Sequence, residues 1–360
     1  MKKIALGFML LAVPLLSGCS LPKVGGGGSS ASPAVSFLRS TDGGTTFESK
    51  STIDEKTNFA TAEVISMATD KQDTRRIFLG TKESGIFASD NSGDSWRKIV
   101  YPPTKVYGLV IDATNSQHLF ATGEYDGRGK IYQTVDGGEN WTEVYTEPAN
   151  GTVITSIAQN PYNPRVIYAG TSTGMIIRSN DGGETWKNIT FTPSMSGNII
   201  WNITFDNRKD NLIYFLVGSK GVYVADGDKI VNEPVAGGSF AMVTGNAAAS
   251  SSGAMSLVID TNRNGVLYVG TAKGIFRSTD YAKTWTALNI IESSKKFPIS
   301  GIAVNPKDSN EIVYIAGLTL YKSTDGGIRW ATRQIASDKN VSFLRYDAYN
   351  PGTLFIGFKK

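Results

Sequence analysis

The chain has 360 residues, of which 40% are hydrophobic and 19% are charged, a composition typical of a globular protein with a sizeable core. Its 36 Lys and Arg residues nearly balance its 32 Asp and Glu residues, so the net charge favours neither a nucleic-acid partner nor an acidic lipid surface. The single cysteine excludes a disulfide within the chain. We therefore expect a fold stabilised by packing alone and no nucleic-acid partner.

The amino terminus has the features of an export signal. Lys2 and Lys3 precede an apolar stretch, residues 4–16, that is too short to span a bilayer comfortably. The following Leu-Ser-Gly-Cys19 resembles the lipobox of bacterial lipoproteins, in which the cysteine carries the lipid. We predict a signal peptide at 1–18, lipidation of Cys19 and a Gly- and Ser-rich tether at 19–34. The lipid would anchor the exported protein to the outer membrane or to the outer face of the cytoplasmic membrane.

An eight-residue frame, which we call the box, recurs along the remaining chain at intervals of about 45 residues, with one doubled interval. It consists of Ser or Thr, any residue, Asp, any residue, Gly, any residue, Thr and an aromatic residue, with some substitutions. Its copies begin at Ser40, Ser89, Thr134, Ser179, Ser278 and Ser323. A regular spacing of this length predicts a repeat architecture.

The box is predicted to be a self-contained turn. Its Asp can accept hydrogen bonds from nearby backbone N–H groups, its glycines supply positive φ angles, and its aromatic residue returns to the core. We interpret the box residues as structural because the side chain at the third position is used by its own turn. These residues are Asp42, Asn91, Asp136, Asp181, Asp280 and Asp325, with the aromatic residues Trp96, Trp141, Trp186, Trp285 and Trp330. The frame resembles the Asp-box (BNR) repeat of bacterial neuraminidases.

Each repeat contains four short runs of β-branched and aromatic residues, which is typical of a propeller blade. Seven pairs of inner and second strands can be counted between residues 62 and 358, so we predict an all-β, seven-bladed β-propeller of four-stranded antiparallel blades over residues 35–360. The last pair has no third and fourth strands after it. Residues 35–40 and 47–50 should supply them, so that the two ends of the chain share one blade and close the ring.

Blade 4 departs from the repeat. Residues 226–229 replace its box, and no Trp follows them. An Ala-, Ser- and Gly-rich segment, 237–253, comes next and is longer than the other links between blades. This segment is either a functional surface loop or a poorly ordered insertion.

The second blade carries the least regular loop on the face that we expect to bind a ligand. The candidate ligand-binding residues there and on the inner strands are Glu124, Tyr125, Asp126, Arg128, Trp201 and Tyr107. Two carboxylates and a stacking aromatic residue would suit a sugar. In the alternative interpretation, Asp126 and Gly127 make a turn, Glu124 pairs with Arg128, and Trp201 packs beneath a loop.

No catalytic constellation, metal-ligand spacing or phosphate-binding loop is found in the sequence. The only histidine, His118, is predicted to lie in a polar surface loop before a strand. We therefore expect no catalytic residue, no metal and no cofactor.

Residues 35–360 resemble single-propeller, non-catalytic proteins of the photosystem II stability/assembly factor family and the ligand-binding propeller of the sortilin type. This resemblance implies a scaffold that binds a protein or a membrane complex, and together with the lipobox it predicts a non-catalytic envelope lipoprotein. We expect the protein to be monomeric. The alternative is a carbohydrate-active protein that binds or cleaves a glycan, similar to sialidases or xyloglucanases. A sialidase needs three clustered arginines, whereas only Arg345 falls on an inner strand here and only Arg128 on the expected binding face. Xyloglucanases resemble two such propellers, and this chain has material for one.

Overall fold

The computed structural model describes residues 34–191, 195–218, 220–227, 229–232, 239–240, 249–250, 255–291 and 298–360. The predicted signal peptide, Cys19, all but the last residue of the tether and most of segment 237–253 lie outside these residues. The described part belongs to one compact unit, residues 33–360.

The described residues contain strands and no helix. In chain order the strands are β1 (Phe37–Ser40), β2 (Glu48–Ser49), β3 (Val64–Thr69), β4 (Ile77–Thr81), β5 (Ile86–Ser89), β6 (Arg97–Ile99), β7 (Lys105–Asp112), β8 (Asn115–Tyr125), β9 (Arg128–Thr134), β10 (Thr142–Thr146), β11 (Ile154–Gln159), β12 (Ile167–Thr171), β13 (Ile176–Ser179), β14 (Lys187–Ile189), β15 (Ile200–Phe205), β16 (Leu212–Val217), β17 (Gly221–Asp226), β18 (Lys229–Asn232), β19 (Ser239–Phe240), β20 (Ala249–Ser250), β21 (Ser256–Ile259), β22 (Leu267–Thr271), β23 (Gly274–Ser278), β24 (Thr286–Ala287), β25 (Ile299–Asn305), β26 (Asp308–Ala316), β27 (Thr319–Ser323), β28 (Ala331–Gln334), β29 (Asn340–Tyr346) and β30 (Leu354–Lys359).

Seven antiparallel sheets of four strands form the blades, which confirms the predicted propeller. Blades 1 to 6 are β3–β6, β7–β10, β11–β14, β15–β18, β21–β24 and β25–β28, each with consecutive strands from inside to outside. Blade 7 has the order β29-β30-β1-β2 and therefore joins the two ends of the chain. Phe37 pairs with Gly357 and Ser40 with Leu354 across the closing ladder, so the predicted ring closure is also confirmed.

In five of the seven blades the second strand is almost entirely buried, because neighbouring blades cover both of its faces. All five residues of β4 and all six of β16 are buried, and both strands consist mostly of β-branched, aromatic and leucine residues. By contrast, the outer strands β2 and β28 are fully exposed. The hydrophobic core is therefore a series of layers between blades rather than one central cluster.

The box of blade 3 shows how each repeat makes its turn. Ser179 Oγ donates to Asp181 Oδ1 (2.7 Å) and accepts from the Gly183 N–H (2.8 Å), while Asp181 Oδ1 accepts from the Thr185 N–H (2.9 Å). Gly183 has a φ of 96°, a conformation that favours glycine. The hydrogen bond from the Thr185 hydroxyl is the first cause of the lowered pKa of Asp181, followed by the Thr185 N–H. The carboxylate is consequently used within its own turn.

The box aromatics pack against the preceding blade as well as their own. Trp96 of blade 1 meets Phe37 of blade 7 edge to face, with ring centroids 5.5 Å apart. Trp186 of blade 3 similarly approaches Phe120 of blade 2 at 6.5 Å. The box is therefore both a hairpin turn and a connection between blades.

Blade 4 joins its third and fourth strands without a box. Asp226 at the end of β17 pairs with Lys229 at the start of β18, so an eight-residue box does not fit between the two strands. Within segment 237–253, the short strands β19 and β20 pair with each other.

Candidate functional site at the channel mouth

The seven inner strands surround a central channel with a cavity of about 660 Å³. Each inner strand starts at the upper face, which carries the loops between second and third strands, and ends at the lower face, which carries the boxes. Apolar residues such as Leu109, Ile157 and Ile302 line much of the wall. Polar and charged side chains such as Lys71, Asn202 and Arg345 line the rest, and a cavity of this size fits a ligand or a short peptide segment.

Each blade has one equivalent residue near the upper end of its inner strand, which in six blades is the point where the pairing with the second strand shifts register. The side chains of these seven residues form a ring. By ladder register its members are Ile65, Tyr107, Thr155, Trp201, Met255, Ser300 and Ser342. Trp201 is 51% exposed and Met255 is 46% exposed, and they belong to the neighbouring blades 4 and 5. Trp201 contacts Gly218 of the loop between β16 and β17, as the packing interpretation expects, but about half of its side chain stays exposed. Large exposed apolar side chains at one end of a channel indicate an interaction surface.

The predicted loop of blade 2 is a tight hairpin turn. Asp126 and Gly127 have φ values of 56° and 73°, as a two-residue turn between paired Tyr125 and Arg128 requires. Tyr125 is 50% exposed, and the Lys130 ammonium lies 5.8 Å from its ring centroid. The turn interpretation of Asp126 and Gly127 thus agrees with the structure.

Glu124 pairs with Lys105, not with Arg128 as the alternative interpretation proposes. Its Oε2 lies 2.9 Å from Lys105 Nζ because the two residues face each other across the ladder of β7 and β8. Arg128 donates to Asn150 Oδ1 instead (2.7 Å). Burial raises the pKa of Tyr107, the charge of Lys105 opposes this shift, and that of Glu124 adds to it. Glu124, Lys105 and Tyr107 therefore form one electrostatic cluster.

Trp201 does not belong to that cluster. It lies on β15 of blade 4, whereas Glu124 and Asp126 lie on blade 2, and blade 3 stands between them. The Trp201 ring lies against Gly218, where a Cβ atom would be 2.8 Å from the indole Nε1. The sequence-predicted residues consequently fall into two groups, at blade 2 and at blade 4.

Arg345 lines the channel but is not among the ligand-binding residues predicted from the sequence. Its guanidinium donates to the Met67 carbonyl (2.8 Å) and lies 5.7 Å from the Phe343 ring centroid. Desolvation by the surrounding walls lowers the pKa of Arg345. The side chain nevertheless remains exposed to the cavity, and a guanidinium keeps its charge under such conditions. Alignment of the seven inner strands shows the signal, since the six equivalent residues are uncharged: Ala68, Val110, Ala158, Thr204, Val258 and Ala303.

His118 lies within β8 rather than in a loop, so this prediction was wrong. It is half-buried, and its Nδ1 is 3.3 Å from Asp112 Oδ2. The pair lies toward the lower face, away from the channel mouth. Among the residues that the structure describes, no three His, Cys, Asp or Glu side chains form a group that could hold a metal ion. No helix in the described part of the chain is long and apolar enough to cross a membrane.

The fold and the channel define a seven-bladed β-propeller. The family model of sortilin and Vps10 proteins ("Sortilin, neurotensin receptor 3") matches residues 129–233, which is less than half of the chain. No curated protein matches the chain in sequence.

Solved structures share the fold at low sequence identity. The GH74 enzyme of Niastella koreensis has a TM-score of 0.64 at 18% identity over 82% of this chain and 51% of that chain. The GH74 xyloglucanase of Xanthomonas campestris has a TM-score of 0.64 at 15% identity over the same shares. YCF48 bound to D1 peptide has a TM-score of 0.58 at 15% identity, over 83% of this chain and 94% of that chain. The chain thus spans about half the length of these two GH74 enzymes and nearly all of YCF48.

Proposed function

We propose that this protein is a non-catalytic, lipid-anchored binding module that holds a protein component of a membrane complex at its channel mouth. The observation that carries the proposal is the exposure of Trp201 and Met255 at the same level of neighbouring inner strands. Trp is among the residues that contribute most to protein interfaces, because it buries a large area with little loss of conformational freedom.

The channel below this surface supports the same function. Arg345 and Lys71 both line the channel and make part of its wall positive, and the bond of Arg345 to the Met67 carbonyl orients its guanidinium. Such a channel could hold an anionic group of a partner while Trp201 and Met255 contact apolar groups at its mouth. The similar structure of YCF48 was solved with a bound D1 peptide, which is a precedent for peptide binding by this fold. Lipidation at Cys19 would keep the propeller beside membrane complexes.

The test is a binding experiment with the purified protein and detergent-solubilised envelope from the source cells. We expect a defined membrane complex to bind and to be competed away by soluble protein. Trp201→Ala and Met255→Ser should each reduce the captured amount several-fold, as expected for residues at the centre of an interface. Val100→Ser is the control, because Val100 is 87% exposed but follows the outer strand β6. Equal capture by all four proteins would contradict the proposal.

A carbohydrate-active function is the second candidate, favoured by the likeness to GH74 enzymes. Glu124 and Asp126 would be its acidic residues, although Glu124 is engaged by Lys105 in this structure. Glycan turnover or binding that is abolished by Glu124→Gln or Asp126→Asn would support this function. Recovery of polysaccharide without stoichiometric protein in the capture experiment would also favour it over the scaffold.

A further inference from the structure

The methionines of the described chain differ in how much of their surface reaches solvent. Met67 and Met195 are 3% and 2% exposed, and both pack in hydrophobic layers between blades. Met175, which precedes β13, is half-buried. Met255 is 46% exposed. Because an oxidant must reach the sulfur atom, Met255 is the methionine of the described chain that is most open to oxidation.

The backbone holds Met255 at the channel mouth. Its N–H donates to the Gly270 carbonyl of β22 (2.9 Å), so the residue is fixed to the second strand of blade 5 although it precedes β21. Met255 lines the channel and lies at the same level as Trp201 of blade 4. A thioether is apolar, flexible and polarisable, which suits a contact surface that adapts to a partner. The exposed sulfur therefore belongs to the surface that the proposed partner covers.

The hydroxyl groups of the same ring are already engaged. Those of Thr155, Ser300 and Ser342 each donate to a backbone carbonyl. An oxygen atom added to Met255 would therefore not find a donor in these hydroxyls and would be solvated by water in the free protein. A partner that covers Met255 must remove this water, and burying a polar group without a hydrogen bond is unfavourable. Oxidation of Met255 is thus expected to weaken binding.

We propose that Met255 is a site of reversible oxidation that controls binding at the channel mouth, an inference that rests on the function proposed above. Hydrogen peroxide is the simplest oxidant for this step. The sulfur lone pair attacks one peroxide oxygen, so that an S–O bond forms while the O–O bond breaks. The departing hydroxide takes the proton of the transferred oxygen and leaves as water, so the sulfur is oxidised by two electrons and the peroxide is reduced. The product is methionine sulfoxide, whose polar oxygen replaces part of the apolar contact surface.

The reverse step needs a thiol reductant. Methionine sulfoxide reductases, one for each sulfoxide epimer, restore the thioether. In this step two thiols become a disulfide, and the sulfoxide oxygen leaves as water. Binding that is lost by oxidation therefore returns on reduction.

Peptide mapping by mass spectrometry during a time course with hydrogen peroxide tests the site. Met242 lies outside the described residues and is replaced by Leu in every protein compared. We expect Met255 to be oxidised several-fold faster than Met67 and Met195, with Met175 between them, because oxidation follows exposure. Circular dichroism establishes that the oxidised protein is folded. Equal rates at Met255 and at the two buried methionines would overturn the proposal.

Capture of the solubilised membrane complex, before and after peroxide treatment, tests the control of binding. Oxidation of Met255 should lower the captured amount about fivefold, as expected for a residue at the centre of an interface. Met255→Gln, which has a polar side chain of similar length, should show a similar loss without peroxide. Met255→Leu is the matched control, because it has no sulfur atom at this position, and its capture should be the same before and after peroxide. Sulfoxide reductases with dithiothreitol should restore capture by the oxidised protein.

Two outcomes of the capture experiment would overturn the proposal: capture that is unchanged after oxidation of Met255, or an equal loss on peroxide treatment in Met255→Leu. Absence of capture by the untreated protein would instead refute the channel-mouth function, and with it the control of that function by oxidation. The peptide map would still decide whether Met255 is the oxidation site. The two failures are therefore distinguishable.

Discussion

Replacing Trp96 with alanine tests whether the boxes connect the blades. The indole is 3% exposed, meets Phe37 and Phe59 edge to face at 5.5 and 5.7 Å, and donates from Nε1 to the Lys50 carbonyl (3.0 Å). Phe37 and Lys50 belong to blade 7 or follow it directly, so the substitution weakens the packing between blades 7 and 1. Removing a buried Trp costs about 3–5 kcal/mol. That is a large share of the roughly 5–15 kcal/mol by which domains are stable.

Denaturant unfolding monitored by circular dichroism measures this loss without relying on the fluorescence of the deleted residue. Trp330→Ala is the comparison, because Trp330 occupies the same box position in blade 6 but is only half-buried. It should cost clearly less, since hydrophobic stabilisation scales with the area removed from water. Equal losses in the two variants, or a loss in Trp96→Ala within about 0.5 kcal/mol of zero, as is usual for exposed sites, would refute the connecting role.

Three further predictions concern other parts of the chain. The pKa of Asp42 is lowered to about 2 from an ordinary 3.8, first by hydrogen bonds from Thr46. The contribution of Asp42 to stability is therefore present above pH 4 and should be lost as the pH falls towards 2. Acid unfolding that is unchanged in Asp42→Asn would contradict this. Gly170→Ala should destabilise the protein by about 1–3 kcal/mol through overpacking, since a Cβ atom at this position would lie 2.6 Å from Ile200 of the next blade. A melting temperature equal to that of the wild type would disprove this prediction. Cys19→Ser should release the protein from the membrane fraction on cell fractionation, whereas continued membrane association would rule out the proposed lipid anchor.

Much of the fold could be predicted because its signals are local. A box makes its hydrogen bonds within eight residues, as between Ser179, Asp181 and Gly183, so the residue types alone specify the turn. The strand pattern between boxes then sets the blade number. Ring closure followed from counting, since the half-blade at 341–358 and the strands at 35–50 complete each other.

The candidate site was less predictable because its contacts depend on register between distant strands. The pairing of Glu124 with Lys105 rather than Arg128 requires the ladder of β7 and β8, in which the two residues face each other. The prediction for His118 was wrong because β8 already begins at Asn115, within a run of polar residues that resembles a loop in sequence.

The sequence by itself determined the repeat, the box turns, the blade count and the shared closing blade, because these depend on periodicity and on hydrogen bonds between near neighbours. Only the tertiary structure decided which groups come together: Glu124 with Lys105 on blade 2, Trp96 with Phe37 between blades 1 and 7, and Arg345 with the Met67 carbonyl inside the channel. These residues lie on separate strands or separate blades. Their proximity results from the packing of sheets around an axis, and the spacing of residues along the chain does not specify it.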